Sequence, residues 1–302
     1  MAELTPITVI CGPTGAGKTA AALELAEQYQ VEIVNADSRQ IIRHLNIGTA
    51  KPTAEERQQA RFHLLDLVEP GERYSAYRFI EDASGAIRDI LACGKIPVMV
   101  GGTGLYLRAL SEGVIEIPRS DPTVRERLEA EMQELGPEAM HERLKQVDPV
   151  EAAGLHPNNR VRVIRALEIL GLTGKTKTEL AATDAYKRCE YDFDFHCLAP
   201  DRARLYDRIN TRVNAMMAYG LLQEVQDLVN QGLRDGIRKA NVIGYSELLD
   251  HLEGALTLDE AVEKIKQNTR RYAKRQMTWF RNQTESKFHQ TTGSLLEAVR
   301  FD

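Results

Sequence analysis

Eight consecutive residues constrain this chain more than any others: Gly12-Pro13-Thr14-Gly15-Ala16-Gly17-Lys18-Thr19 fits the phosphate-loop spacing G-x-x-x-x-G-K-[ST] without a gap. That spacing has a mechanism. Glycines let backbone N–H groups turn inward around a diphosphate, a lysine supplies a point charge, and the hydroxyl after it is a ligand for Mg²⁺. The flanks match, since Ile7-Thr8-Val9-Ile10-Cys11 reads as a buried strand and Ala20 to Gln28 as a helix. The start of that helix adds its own preference for anions. The motif therefore predicts an α/β fold with an anion site at the end of its first strand. It does not say which diphosphate is held.

Strand and helix signals alternate through the first 117 residues. Strands are expected at 7–11, Val31 to Ala36, Phe62 to Val68 and Ile96 to Val100, and Ser75 to Cys93 reads as an amphipathic helix stopped by Gly94. Thr53-Ala54-Glu55-Glu56 is a capping box that opens a further helix. This rhythm predicts a P-loop NTPase-like parallel sheet flanked by helices on both faces. The texture changes at Pro118. Asp121 followed by Pro122 is a helix start, and the periodic segments 122–135, 137–147 and 158–172 are all helical, with breaks at Gly136-Pro137, Asp148-Pro149 and His156-Pro157. Strand character returns over Asp192 to Leu198. The expected organisation is a catalytic core of 1–118 and 192–302 carrying an all-helical insertion domain at 119–191. After Asp201 the chain reads as helical nearly to Phe280, with a capping box at Thr257-Leu258-Asp259-Glu260. Gly174-Lys175-Thr176 lacks the upstream glycine spacing and reads as a turn.

No run of eighteen apolar residues and no cleavable apolar leader is visible, so a soluble, cytoplasmic chain is expected. Cys11, Cys93, Cys189 and Cys197 show no C-x-x-C pairing and read as reduced core thiols. The net charge of −5 argues against nucleic acid, but its distribution does not: between Lys264 and Thr284 lie seven basic residues and no acidic one, interleaved with Tyr272, Trp279 and Phe280. Such a stripe can track a phosphate backbone; it can also be a solvated helix face.

Further sites follow from the sheet. The second strand leads into Asp37-Ser38-Arg39-Gln40, and strand C-termini line the ligand crevice, so Asp37 is either a functional carboxylate or a helix cap. The fourth strand ends in Gly101-Gly102-Thr103-Gly104 where an ATP-hydrolysing relative usually carries an acid for Mg²⁺, although Asp66 is a possible substitute. Arg162 and Arg165 share a helix face, for phosphate contact or for a salt bridge to Glu168.

Taken together these residues resemble the tRNA dimethylallyltransferase (tRNA isopentenyltransferase) family over nearly the whole chain. Besides the loop, the resemblance rests on Asp37-Ser38-x-Gln40, Asn46-Ile47-Gly48-Thr49-Ala50-Lys51-Pro52, His63-Leu64-Leu65-Asp66 and Tyr74-Ser75. It continues through Gly101-Gly102-Thr103-Gly104-Leu105-Tyr106, Asp121-Pro122-x-x-Arg125, His156-Pro157-Asn158-Asn159 and Arg162-x-x-Arg165-Ala166-Leu167-Glu168. Ile243-Gly244-Tyr245 and Thr269-Arg270-Arg271-Tyr272-Ala273-Lys274-Arg275-Gln276 complete it. The resemblance implies transfer of a dimethylallyl group from dimethylallyl diphosphate to N6 of the adenosine 3′-adjacent to the anticodon. Residues 12–19 would then grip the donor's pyrophosphate, which accounts for the missing acidic strand end. It further implies that Asp37 is the general base, that Ser38 and Gln40 read the extruded adenine, that Thr19 holds Mg²⁺, and that Lys18 and Arg212 neutralise the departing pyrophosphate. Thr103 would lie near the reacting groups. Contacts to the tRNA anticodon stem-loop are implied for Arg39, Arg125, the segment Val161, Arg162, Val163, Ile164 and Arg165, for Arg238, Gly244 and Tyr245, and for Arg270, Arg271, Lys274 and Arg275. Ile42 and His44 stand where the family often has tyrosine and glycine. The chain ends at Asp302 without the zinc finger of eukaryotic relatives, which implies a bacterial type; no membrane partner and a monomer are expected. Three other readings are weighed against this one: an adenylate isopentenyltransferase acting on free AMP or ATP, a P-loop nucleotide kinase or NTPase, and a non-catalytic RNA-binding protein.

Overall fold

The computed structural model describes residues 5–115, 117, 120–183, 186–187, 190–283 and 285–301. They group into two compact units, one formed by Met1–Glu112 with Cys189–Asp302 and the other by Gly113–Arg188.

The first unit opens with β1 (Thr5–Cys11), the phosphate loop and α1 (Lys18–Gln28), followed by β2 (Val31–Asn35) and α2 (Ala54–Gln59). The Thr53 capping box forms, with Thr53 Oγ1 accepting from Glu56 N and Glu56 Oε2 accepting from Thr53 N. Next come β3 (Phe62–His63), α3 (Ala76–Ala92), β4 (Ile96–Gly101) and α4 (Gly104–Glu112). The third strand is two residues long, not the seven expected from Phe62 to Val68. Leu64 and Asp66 take φ of 62° and 57°, left-handed values that break a ladder, and one bridge from Ile42 to Val68 resumes it.

In the second unit, β5 (Val114–Ile115) pairs antiparallel with a short strand at Tyr186–Lys187, so the insertion is not all-helical as expected. Both ends of an insertion must return to one place, and two short extended stems there can share hydrogen bonds; two-residue strands carry no periodic signal. Between them run α5 (Pro122–Val147), α6 (Pro149–Ala153), α7 (Arg160–Thr173) and α8 (Lys177–Ala182), and β6 (Tyr186–Lys187) closes the ladder. Asp121 caps α5 at Thr123 and Val124, and Gly136 at φ 84° before Pro137 kinks it where two helices were expected. Gly174 at φ 69° ends α7 and Thr176 caps α8, so residues 174–176 are a turn. Leu128, Met132, Met140, Leu144, Val163, Ile164 and Leu167 form the unit's core.

The chain then returns to the first unit with β7 (Tyr191–Leu198), α9 (Arg202–Ala218), α10 (Leu221–Asn230), α11 (Arg234–Ala240), α12 (Tyr245–Leu252) and α13 (Leu258–Gln283). It ends with β8 (Lys287–His289) and α14 (Thr292–Ala298). The six strands order as β3-β2-β4-β1-β7-β8, all parallel, with Cys11 in register with both Gly101 and Cys197. β8 was not anticipated, being short and polar. One core lies where α1 and α14 cover the sheet, around Ile10, Leu25, Ile33, Val98 and Leu295. Another gathers α9 to α13 around Ile41, Leu45, Val225, Tyr245 and Ile265. Each such side chain contributes roughly 1.5–3 kcal/mol on burial. Cys11 and Cys197 are buried, but Cys93 is exposed at the end of α3, and Cys189 lies outside the described residues. Among the described residues no helix is long and apolar enough to cross a membrane.

Candidate functional site

The loop 12–17 leaves β1 in the middle of the sheet. Gly12 sits at φ 137°, and a Cβ there would stand 2.5 Å from the Leu198 carbonyl oxygen, so only glycine fits. Lys18 Nζ donates to the Pro13 carbonyl at 3.0 Å. Helix α9 crosses over the loop and supplies two arginines one turn apart. Arg208 Nη1 donates to the Ala16 carbonyl at 3.2 Å and Arg212 Nη2 to Thr14 Oγ1 at 2.6 Å. Arg212 Nε is buried and has no hydrogen-bond partner among the described residues. Burial pulls the Lys18 ammonium below its ordinary value, with Asp37 opposing and Arg212 adding to the shift. Burial does the same to Arg212, again opposed by Asp37. Two half-buried cations thus share a cleft of 1140 Å³ with Thr14, Thr19, Asp37 and Arg208. An anion entering it would regain for both the charge partners that burial removed.

Asp37 follows β2. Its Oδ1 accepts from Arg39 N at 2.8 Å, and the residues after it form turns instead of a helix, so Asp37 closes an Asx turn and is not a helix cap. Ser38 N donates to Thr103 Oγ1 at 2.9 Å, which ties the end of β2 to the end of β4. Tyr272 of α13 and Tyr106 of α4 both feel Asp37. The Tyr272 hydroxyl is pushed up to about 12 by burial and then by the carboxylate, and Tyr106 is raised by the same two causes. A second cavity of 290 Å³, lined by Tyr272, Asn268, Val242 and Arg275, shares Thr14, Asp37, Thr49, Arg212 and Met216 with the first. Asp37 and Arg212 therefore face both cavities.

A divalent cation of the hard, oxygen-binding kind fits the donors present, because the Thr19 hydroxyl and the Asp37 carboxylate line the same cleft beside the anion-seeking loop. Asp66 fits less well. It also lines the cleft, but Oδ1 is 2.6 Å from the buried Lys51 ammonium and Oδ2 3.5 Å from Arg57.

Other expected residues separate into those on the surface and those inside. Arg271, Lys274 and Arg275 are exposed on α13, while Arg270 is half-buried and bonds Asn210. Arg39 reaches the Ala240 carbonyl, and Arg238 is held by Asp250 at 2.6 Å and Glu253 at 2.8 Å. Gln40 Nε2 is spent on the carbonyls of Thr49 and Ala50. Tyr245 and Gly244 do not offer side chains to RNA. Tyr245 is fully buried, its hydroxyl between Gly48 N and Glu224, and Gly244 is a buried helix start. Val163 and Ile164 likewise lie in the core of the second unit because they sit on the inner face of α7. Val161 and Arg162, on the outer face, are exposed. Arg165 pairs at 2.7 Å with the buried Glu168, which also holds Ser120, and Arg125 pairs with Glu129. His44 takes φ 67°, the left-handed region in which glycine is at ease.

Arg208 and Met216 line the cleft but were missed as site residues. The i, i+4 spacing of Arg208 and Arg212 after a strand end was the available signal for the first; nothing local marks the second.

Comparison with known proteins identifies the family. The IPP transferase family model matches residues 40–283, and an isopentenyl transferase model matches residues 5–68. A tRNA dimethylallyltransferase of Anaeromyxobacter sp. (strain K) is 50% identical over 278 residues, covering 92% of this chain and 90% of the relative. One from Geobacter metallireducens is 47% identical over 287 residues, covering 94% and 92%. Among solved structures, a tRNA isopentenylpyrophosphate transferase from Bacillus halodurans superposes with TM-score 0.67 at 39% identity, covering 98% of this chain and 94% of the other. A eukaryotic dimethylallyltransferase acting on tRNA gives TM-score 0.77 at 32% identity, covering 91% and 70%.

Proposed function

This chain belongs to the IPP transferase family, and from that premise we propose that it is a tRNA dimethylallyltransferase. It moves the dimethylallyl group of dimethylallyl diphosphate to N6 of the adenosine 3′-adjacent to the anticodon, releasing pyrophosphate. The observation that carries this reading is Arg212, a half-buried arginine whose buried Nε has no hydrogen-bond partner among the described residues, standing with Lys18 and Asp37 where two cavities meet. One cavity offers cations and loop N–H groups to a diphosphate. The other offers aromatic and amide side chains to a base that has left its stack, which a reaction at an exocyclic amine requires.

In the reaction the allylic C–O bond breaks, its electrons pass to the pyrophosphate, and the N6 lone pair forms the new C–N bond. Lys18 and Arg212 stabilise the charge that builds on the leaving group, and their bonds to Pro13 and Thr14 hold them in place before the step, which limits reorganisation. Asp37 accepts the N6 proton. The Asx turn orients the carboxylate, and the Ser38–Thr103 tie holds that turn against β4. Thr19 would hold Mg²⁺, and the ion would supply further neutralisation of the leaving group when bound. The exposed Arg271, Lys274 and Arg275 belong to the RNA surface, with Arg162 on the second unit.

The test incubates the protein with Mg²⁺, labelled dimethylallyl diphosphate and unmodified tRNA, digests the RNA, and identifies the labelled nucleoside. N6-isopentenyladenosine at the stated position is expected. Label on free AMP alone, or ATP turnover without transfer, would replace this reading by an adenylate transferase or an NTPase.

A further inference from the structure

Helix α13 turns six residues inward at helical spacing: Ala261, Ile265, Thr269, Ala273, Gln276 and Phe280. Thr269 satisfies its hydroxyl on the Ile265 carbonyl of its own helix. Gln276 is different. It is 6% exposed, and its amide makes no bond within α13. A buried amide is tolerated only when its donors and acceptor find partners. Gln276 Oε1 accepts from Thr14 N at 2.9 Å, and Nε2 donates to the Gly102 carbonyl at 2.8 Å. These two partners fix which end of the amide is which, since an N–H needs oxygen and a carbonyl needs N–H. Both are backbone atoms of ligand loops, one in the phosphate loop after β1 and the other in the turn after β4.

The surroundings match this use. A Cβ on residue 102 would stand 2.5 Å from Gln276 Nε2, and one on residue 104 would stand 2.4 Å from the Trp279 ring, so both glycines admit side chains of α13. Ala273 packs with Leu205 and Ile209 of α9, the helix that brings Arg208 and Arg212 to the same loop. The opposite face of α13 exposes Arg271, Lys274 and Arg275. One helix therefore carries an exposed cationic face and, on its buried face, the amide that spans two loops of the donor site.

We propose that Gln276 is a positioning residue that couples the two substrates. It holds the phosphate loop and the Gly101–Gly104 turn at a set spacing, so that RNA seated on the outer face of α13 and a diphosphate seated in the loop favour the same arrangement. The RNA half of this inference rests on the function proposed above; the loop-holding half rests on the two hydrogen bonds. Coupling of this kind is reciprocal, so each substrate tightens the other by the same factor.

The experiment titrates inorganic pyrophosphate with Mg²⁺ into wild type, Gln276→Met and Gln276→Glu. Each titration is run with and without a saturating unmodified anticodon stem-loop RNA, and thermal melting is followed in parallel. In wild type the RNA is expected to tighten pyrophosphate by about five-fold or more. Methionine fills the space but leaves Thr14 N–H and the Gly102 carbonyl unpaired, so pyrophosphate alone should bind about three- to ten-fold more weakly. In the same variant the RNA-dependent gain should fall to about one while RNA affinity stays within about two-fold, because the RNA face is untouched. Glutamate keeps the bond from Thr14 and turns a carboxylate oxygen toward the Gly102 carbonyl, so it should lose the gain as well; it carries the test if the methionine variant melts without cooperativity. Wild-type pyrophosphate affinity and wild-type gain in the variants would overturn the proposal. A wild-type gain of one with RNA bound would overturn the coupling and leave the proposed function standing. Wild type that binds pyrophosphate but no RNA would overturn the proposed acceptor and the coupling together, with loop holding still decided by the pyrophosphate titrations.

Discussion

Replacing Asp37 by asparagine separates chemistry from architecture at this site. The structural work of Asp37 is one bond, Oδ1 accepting from Arg39 N at 2.8 Å, and asparagine makes the same Asx turn with the same atom. Stability should therefore stay within about 0.5 kcal/mol of wild type. Donor binding should not suffer either. Asp37 opposes the burial shifts of Lys18 and Arg212, so its loss makes those cations slightly harder to hold, but it also removes the one carboxylate that faces the incoming diphosphate from this turn. The proton of N6, in contrast, has no acceptor left. Loss of a general base costs roughly 10²- to 10⁴-fold in rate, about 2.7 to 5.4 kcal/mol at the transition state. The assay is single-turnover transfer from labelled donor to unmodified tRNA with both substrates saturating, beside separate measurements of tRNA affinity and melting. Transfer within ten-fold of wild type would remove Asp37 from proton transfer. A melting temperature several degrees lower would make it a structural residue instead.

Arg212→Gln should raise the donor KM by roughly 10- to 100-fold, the cost of about 1.5–3 kcal/mol for a charged hydrogen bond, while RNA affinity holds; an unchanged KM would show that the unpartnered Nε has no anionic ligand. Removing the charges of Arg271, Lys274 and Arg275 together should lower the log–log salt slope of RNA binding by roughly two to three units, and an unchanged slope would return these residues to a solvated helix face. Glu168 provides a pH test. Burial works against its charge, but hydrogen bonds from Ser120 and Arg165 hold its carboxyl below the ordinary value of 4.5. Its contribution is thus fully present above about pH 4.5 and lost as pH falls through the lower folded value. Glu168→Gln should cost about 1–3 kcal/mol at pH 7, and melting curves of variant and wild type should converge below pH 4.5; a gap independent of pH would mean that charge plays no part.

Features whose causes lie within a few residues could be read from the order of amino acids alone. The phosphate loop, the capping boxes at Thr53 and Thr257, the start of α5 at Asp121-Pro122 and the parallel strands were legible because spacing and local hydrogen bonding produce them. The third strand failed on a local ground too, since nothing in Leu64-Leu65-Asp66 announces two left-handed residues. Side-chain direction, in contrast, was set by packing. Val163, Ile164 and Tyr245 belong to segments that resemble RNA-contacting ones, yet packing turns their side chains into cores. Arg212 meets Thr14 across 198 residues of chain and Gln276 meets it across 262, and no periodicity encodes such a meeting. A helix signal says which residues share a face. Only the packing of that face against the loops of the sheet says whether a glutamine on it is solvated or holds the site together.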